Sequence, residues 1–198
     1  MNATNNINVN DKNYFTDTNT EYPSLDDNDN IVKFCYTNLD NVENNKFDKQ
    51  LTIQQACLSQ FFKTILENTN FKNNEIIPVT NDPKYITPYA YNICMEYLQY
   101  HNGKAIVLPP RPLKSDNIET AWENCDLSEA MKKKVLHDIS LVKKIYSESD
   151  KCDKLYEVLE ACNYLDINPL LHLCSMYVAS LCKKHSLHDF NKIFGTSN

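Results

Sequence analysis

A mixed α/β fold that gives way to an all-helical C-terminal part is what this sequence predicts, on three observations. β-prone residues gather in short runs in the N-terminal half. Apolar residues between and after those runs recur at helical spacing. Beyond a stretch with prolines at 109, 110 and 112, only the helical period continues.

The first segment, 1–30, carries Asn2, Asn5, Asn6, Asn8, Asn10 and Asn13, then Asp26, Asp27 and Asp29. So polar a segment buries too little surface to offset its ordering entropy, and it reads as a disordered tail. At 31–36 the run Ile-Val-Lys-Phe-Cys-Tyr predicts a strand. Leu51 and Ile53 mark the end of its partner, with a turn-rich loop at 38–49 between them. Thr52 followed by Gln55 makes a capping box, and Leu58, Phe61 or Phe62, then Ile65 or Leu66 give one apolar face, so 54–66 is expected to be one helix. A third strand is expected at 75–79. Thr87 before Pro88 is an N-cap with proline at the first helical position, and Gly103 after His101 is a stop; Ile93 or Cys94 and Leu98 then face the core.

The prolines make 103–117 an extended linker, read as a spacer rather than a PxxP ligand. After it, Leu127, Met131, Val135, Ile139, Val142 and Tyr146 form a regular helical stripe that Asp126 and Glu129 can cap. Trp122, just before the stripe, is read as a packing anchor in preference to part of a partner surface. Lys132, Lys133 and Lys134 read as the solvated face of this helix. Two further apolar helices follow, then a short one at 187–194. In the helix at 169–183 apolar residues run nearly all the way round. Leu170, Cys174, Tyr177 and Leu181 serve one face, while Leu171, Ser175, Val178 and Cys182 point elsewhere. With Phe190, Ile193 and Phe194 on the last helix, that second face makes a groove for an amphipathic partner helix, unless the 127–146 helix folds back over it.

Composition narrows the function. The formal net charge of -6 argues against nucleic-acid binding, which needs clustered Lys and Arg. No run approaches the ~20 apolar residues of a membrane span. Eight cysteines without a signal peptide point to a reducing compartment, where most act as small hydrophobes. Cys182, His185 and His188, with His172 and Cys174 upstream, include no CxxC pair, so no metal is expected. Nor does any cysteine lie in a nucleophile signature, and two glycines make no phosphate loop. No cofactor and no catalytic residue are expected.

The stretch LYEVLEACNYLDINPLL, with the helix at 187–194, resembles the C-terminal half of the S-phase kinase-associated (Skp) adaptor family. Upstream, LTIQQACLSQFFKTILE and ITPYAYNICMEYLQYHNG are similar to that family's first strand-to-helix segment and to the helix before its linker. The resemblance covers 31–194 and implies a BTB/POZ-like α/β part at 31–102, a linker at 103–117 and a helical part at 118–194. It also marks 118–134 as an inserted helix. It implies an adaptor that bridges a cullin and F-box proteins in an SCF ubiquitin ligase, in the cytoplasm and nucleus, and that is not itself an enzyme. Asn163 and Tyr164 fall on the family's cullin-docking pair. Leu171, Val178, Cys182, Phe190, Ile193 and Phe194 fall in the region that grips the F-box. The sequence departs from the family after Phe194, where an acidic helix and a terminal tryptophan segment would follow; reduced F-box affinity or altered F-box selection is expected. The rival reading is a non-ligase interaction subunit of the same fold, kinetochore-like or self-associating.

Overall fold

In β1 (Ile31–Asn38) the side chains of Val32, Phe34 and Tyr36 alternate onto one face and are fully buried, as a period of two requires. The computed structural model describes residues 31–38, 47–69, 76–81, 86–109, 113, 115–149 and 152–186. The disordered tail expected at 1–30 and the short helix expected at 187–194 lie outside them. Strand β1 is the centre of a three-stranded sheet of order β2-β1-β3. Antiparallel β2 (Phe47–Thr52) sets Leu51 opposite Val32, and parallel β3 (Ile76–Asn81) sets Ile77 beside Phe34 and Val79 beside Tyr36. β1 and β3 each run two residues past their expected ends, and β2 begins at Phe47, inside the loop expected at 38–49, and ends at Thr52.

The single helix expected at 54–66 is two. The Thr52–Gln55 capping box forms, but α1 (Ile53–Ala56) lasts one turn before α2 (Gln60–Asn68) begins. The break is Ser59, whose hydroxyl accepts from the Phe62 amide at 3.1 Å and donates to the Leu165 carbonyl. Serine here offers the backbone a partner other than the helix, and the chain takes it. The Gln60 amide donates to the Asp166 carbonyl beside it at 3.1 Å. Phe62 of α2 meets Phe34 of the sheet with ring centroids 4.1 Å apart.

Helix α3 (Pro88–His101) starts at Thr87 as predicted; the Thr87 hydroxyl accepts from the Ala90 amide and donates to the Glu157 carboxylate at 2.6 Å. Its buried residues include Ile93, Cys94 and Leu98, with Tyr91, Met95 and Tyr97 beside them. The helix ends on two left-handed residues, Asn102 (φ 48) and Gly103 (φ 79). A Cβ on Gly103 would also meet the Gln54 carbonyl oxygen at 3.0 Å, so both backbone and space call for glycine.

The described linker residues form no helix or strand, yet Ile106 and Pro109 are buried, so this segment packs on the body of the protein. Trp122 is the packing anchor: it is buried in a 3-10 turn (Ile118–Trp122), and its indole N–H donates to the Val107 carbonyl at 2.8 Å. The stretch 118–134, expected as an inserted helix, holds this turn and then the start of α4 (Glu129–Ser147). The N-cap of α4 is Ser128 rather than Asp126 or Glu129, because the serine oxygen accepts from the Met131 amide at 3.3 Å. Val135, Ile139 and Val142 are buried as the stripe required. Lys134 departs from the solvated-face reading: its ammonium donates to the carbonyls of His101 and Lys104, each at 3.1 Å.

Helices α5 (Asp153–Tyr164) and α6 (Asn168–Lys184) complete the described chain. α5 packs on both α3 and α6, and α4 packs on both α5 and α6. In α6 the side chains of Leu170, Leu173, Cys174, Tyr177 and Leu181 are buried. Tyr177 meets Tyr146 of α4 edge to face at 5.5 Å between centroids. Cys94 and Cys162 bring their sulfurs to 3.8 Å across the α3–α5 contact, within one buried cluster that runs from the sheet to α6.

Candidate protein-docking surfaces

The turn from α5 into α6 presents the first candidate pair. α5 closes with the Leu165 amide on the Ala161 carbonyl at 2.8 Å and the Ile167 amide on the Cys162 carbonyl at 2.9 Å. Between them Asp166 is left-handed (φ 49), a conformation aspartate tolerates better than most residues, and it accepts from the Asn168 side-chain amide at 2.6 Å. Leu165 and Ile167 are fully buried and anchor the turn. Asn163 stands exposed on the last turn of α5, while Tyr164 is half-buried with its ring 5.5 Å from that of Phe61 on α2.

The structure brings three further residues to this pair. Tyr156, Leu159, Glu160, Asn163 and Tyr164 line an open depression of about 380 Å³. Tyr156 is 60% exposed, a large apolar body in water. The Glu160 carboxylate accepts its hydroxyl and so raises that group's pKa above the usual 10.0. Sequence reasoning missed these three, although their steps of three and four back from Asn163 and Tyr164 trace one helix face. That face is opposite the buried Leu155, Val158, Ala161 and Cys162.

The second candidate set is partly in view. Leu171 and Val178 of α6 are half-buried and touch the core from its edge. Ser175 and Cys182, on the same face, are exposed; the Ser175 hydroxyl turns back to donate to the Leu171 carbonyl at 2.8 Å. α4 therefore packs on α6 without sealing this face. Phe190, Ile193 and Phe194 lie outside the described residues. At the C-terminal end of α6 the Lys183 ammonium donates to the Leu113 carbonyl and ties the helix to the linker.

Among the thiols, burial raises the pKa of Cys162 and Cys174 well above the ordinary cysteine range, and Cys94 beside Cys162 adds to the shift. That is the reverse of what activates a nucleophile. Among the described residues no group of three His, Cys, Asp or Glu is placed to hold a metal ion, and no helix is long and apolar enough to cross a membrane.

The described chain is thus a mostly helical α/β protein, and Tyr156 of α5 is one of several exposed apolar or aromatic side chains spread over it, with Ile76, Tyr100, Val107 and Leu136 among the others. No family model matches the chain. It is similar to an S-phase kinase-associated protein 1 homolog of Tetrahymena thermophila, with 25% identity over 143 residues, covering 72% of each protein.

Proposed function

We propose that this protein is the adaptor subunit of a cullin-based SCF ubiquitin ligase, bridging a cullin to F-box substrate receptors and catalysing nothing itself. In this reading 31–102 is a BTB/POZ-like part, to which the sheet order β2-β1-β3 with α1 to α3 lends support. The linker at 103–117 passes to the helical part at 118–194. The observation that carries the reading is the α5–α6 unit. It presents Asn163 and Tyr164 at the end of one helix and Leu171, Val178 and Cys182 along the other, so that two partners can be held apart. The distant likeness to an S-phase kinase-associated protein 1 homolog supports it.

The test is recovery of a recombinant cullin by the purified protein and by Asn163→Lys. Asn163 is exposed, so the variant is expected to fold. A charge forced into the centre of an interface costs on the order of 2 kcal/mol or more, a loss of about thirtyfold. Undiminished cullin recovery by a folded Asn163→Lys would remove the docking assignment. Recovery of other partners without a cullin would favour a non-ligase subunit of the same fold.

A further inference from the structure

Helix α5 brings a carboxylate beside a tyrosine twice. In the first instance Lys154 joins the two groups: its ammonium lies 2.8 Å from the Glu157 carboxylate and 4.8 Å from the centroid of the Tyr89 ring. The other oxygen of Glu157 accepts from the Thr87 hydroxyl at 2.6 Å, so this carboxylate is fully served within the molecule. In the second instance Glu160, half-buried, lines the depression on α5 and accepts the hydroxyl of Tyr156 one turn before it. No lysine, arginine or histidine among the described residues lies within ion-pair distance of Glu160.

We propose that Tyr156 and Glu160 receive a basic side chain of the partner that docks on α5, so that the contact runs back along this helix from Asn163 and Tyr164. This assignment rests on the reading of that face as the cullin-docking surface, and it names the chemistry of the group the face takes. Three features favour a cation over an apolar anchor. Covering a half-buried carboxylate with an apolar group leaves it without a partner, which is unfavourable. α5 carries Asp153, Glu157 and Glu160 against Lys154, so its exposed side is acidic and draws a basic group towards it. The depression also includes Asn163 and Tyr164 of the last turn of α5, where the helix dipole is negative. A basic group seated here meets the Glu160 carboxylate and the exposed Tyr156 ring together, as Lys154 meets Glu157 and Tyr89 one turn away. A guanidinium makes the fullest use of the place, because its planar fork bonds a carboxylate while its flat face stacks on an aromatic ring.

Two consequences follow from charge. The attraction is made at a partly solvated edge, so its contribution to binding fades as salt rises. A lysine introduced on the same helix face three or four residues from Glu160 takes the place of the partner's charge and blocks it.

Affinity of the full chain for recombinant cullin, measured at ~0.05 M and ~0.5 M salt, tests the assignment. Glu160→Gln removes the charge while its amide oxygen still accepts the Tyr156 hydroxyl, and it is expected to fold. Its binding should be about tenfold weaker at the lower salt and within about twofold of the unaltered protein at the higher. Tyr156→Lys, at an exposed position, sets an ammonium four residues from Glu160 and is expected to lose at least as much. If Glu160→Gln binds like the unaltered protein at both salt concentrations while Asn163→Lys loses the cullin, the docking surface stands and the basic-group assignment falls. If the unaltered protein recovers no cullin, or Glu160→Gln and Asn163→Lys both leave recovery unchanged, the docking reading and this assignment fall together. Tighter binding by Glu160→Gln would mark an apolar occupant and overturn the assignment. So would a dimer of the unaltered protein in sedimentation that Glu160→Gln abolishes, since that gives the depression to a second copy. Should Glu160→Gln fail to fold, unchanged affinity of Tyr156→Lys overturns the assignment and its loss at low salt alone upholds it.

Discussion

Ser59→Ala removes two bonds at one buried atom. The Ser59 hydroxyl caps α2 through the Phe62 amide and donates to the Leu165 carbonyl, 106 positions along the chain, and the side chain is fully buried. Loss of a serine N-cap costs ~1 kcal/mol. The Leu165 carbonyl, in a residue that is itself fully buried, is then left without its donor, which adds roughly 1 to 3 kcal/mol. A total of about 3 kcal/mol is expected, a large share of a typical stability of ~5 to 15 kcal/mol. For a chain of this length that corresponds to a drop in Tm on the order of 6 to 12 °C. Urea unfolding followed by far-ultraviolet circular dichroism checks it, with the midpoint falling and the slope unchanged. A loss below about 0.5 kcal/mol, the level of an indifferent surface substitution, would refute the assignment of Ser59 as the tie between the two halves.

Val178→Asp places a carboxylate at a half-buried position and is expected to lower stability by about 1 to 3 kcal/mol as well as reducing F-box recovery; if it unfolds the isolated protein, the face is core and the groove reading fails there. Cys182→Asp, one turn on and exposed, is expected to reduce F-box recovery with unfolding unchanged, which a paired binding and urea series will show. Trp122→Phe deletes the bond to the Val107 carbonyl and is expected to cost on the order of 1 to 2 kcal/mol in the same unfolding assay. Alkaline pH should also destabilise the protein: burial first, then Asp153, raises the Cys152 thiol from 9.0 to about 11. The unfolded thiol ionises first, so the contribution is intact below pH 9 and is lost towards 11, a fall that Tm measured against pH will detect.

Local signals carried much of this architecture. The run Ile31 to Tyr36 announced a strand by its β-prone residues, Thr87–Pro88 announced a helix start by capping chemistry, and Val135, Ile139 and Val142 announced a buried stripe by period. The misses are tertiary. Ser59 breaks a helix because a carbonyl 106 positions away accepts its hydroxyl, and no window around Ser59 contains Leu165. Asp138 sits on the apolar side of α4, where a carboxylate makes sense only once His101 is opposite. Lys134 looks solvated until the carbonyls at the end of α3 are placed beside it. At the candidate site Asn163 and Tyr164 were legible only through a family likeness. Tyr156 and Glu160 were legible in principle from helical spacing, but an exposed tyrosine announces itself only after the buried face of α5 is known.

The contact between α3 and α5 bears on how the protein is made. Cys94 and Cys162 meet although 68 residues separate them, and the Thr87 hydroxyl waits for Glu157, 70 residues on. During synthesis at ~5 to 20 residues per second, the sheet and α3 emerge several seconds before the helix that covers them. For that interval Cys94 and the face of α3 around it have no α5 to pack against, and an apolar surface is open to solvent on the nascent chain. Contacts this distant in sequence also slow folding after release. A fragment truncated before α5 is therefore expected to aggregate rather than to form a small independent domain, which light scattering of the purified fragment checks.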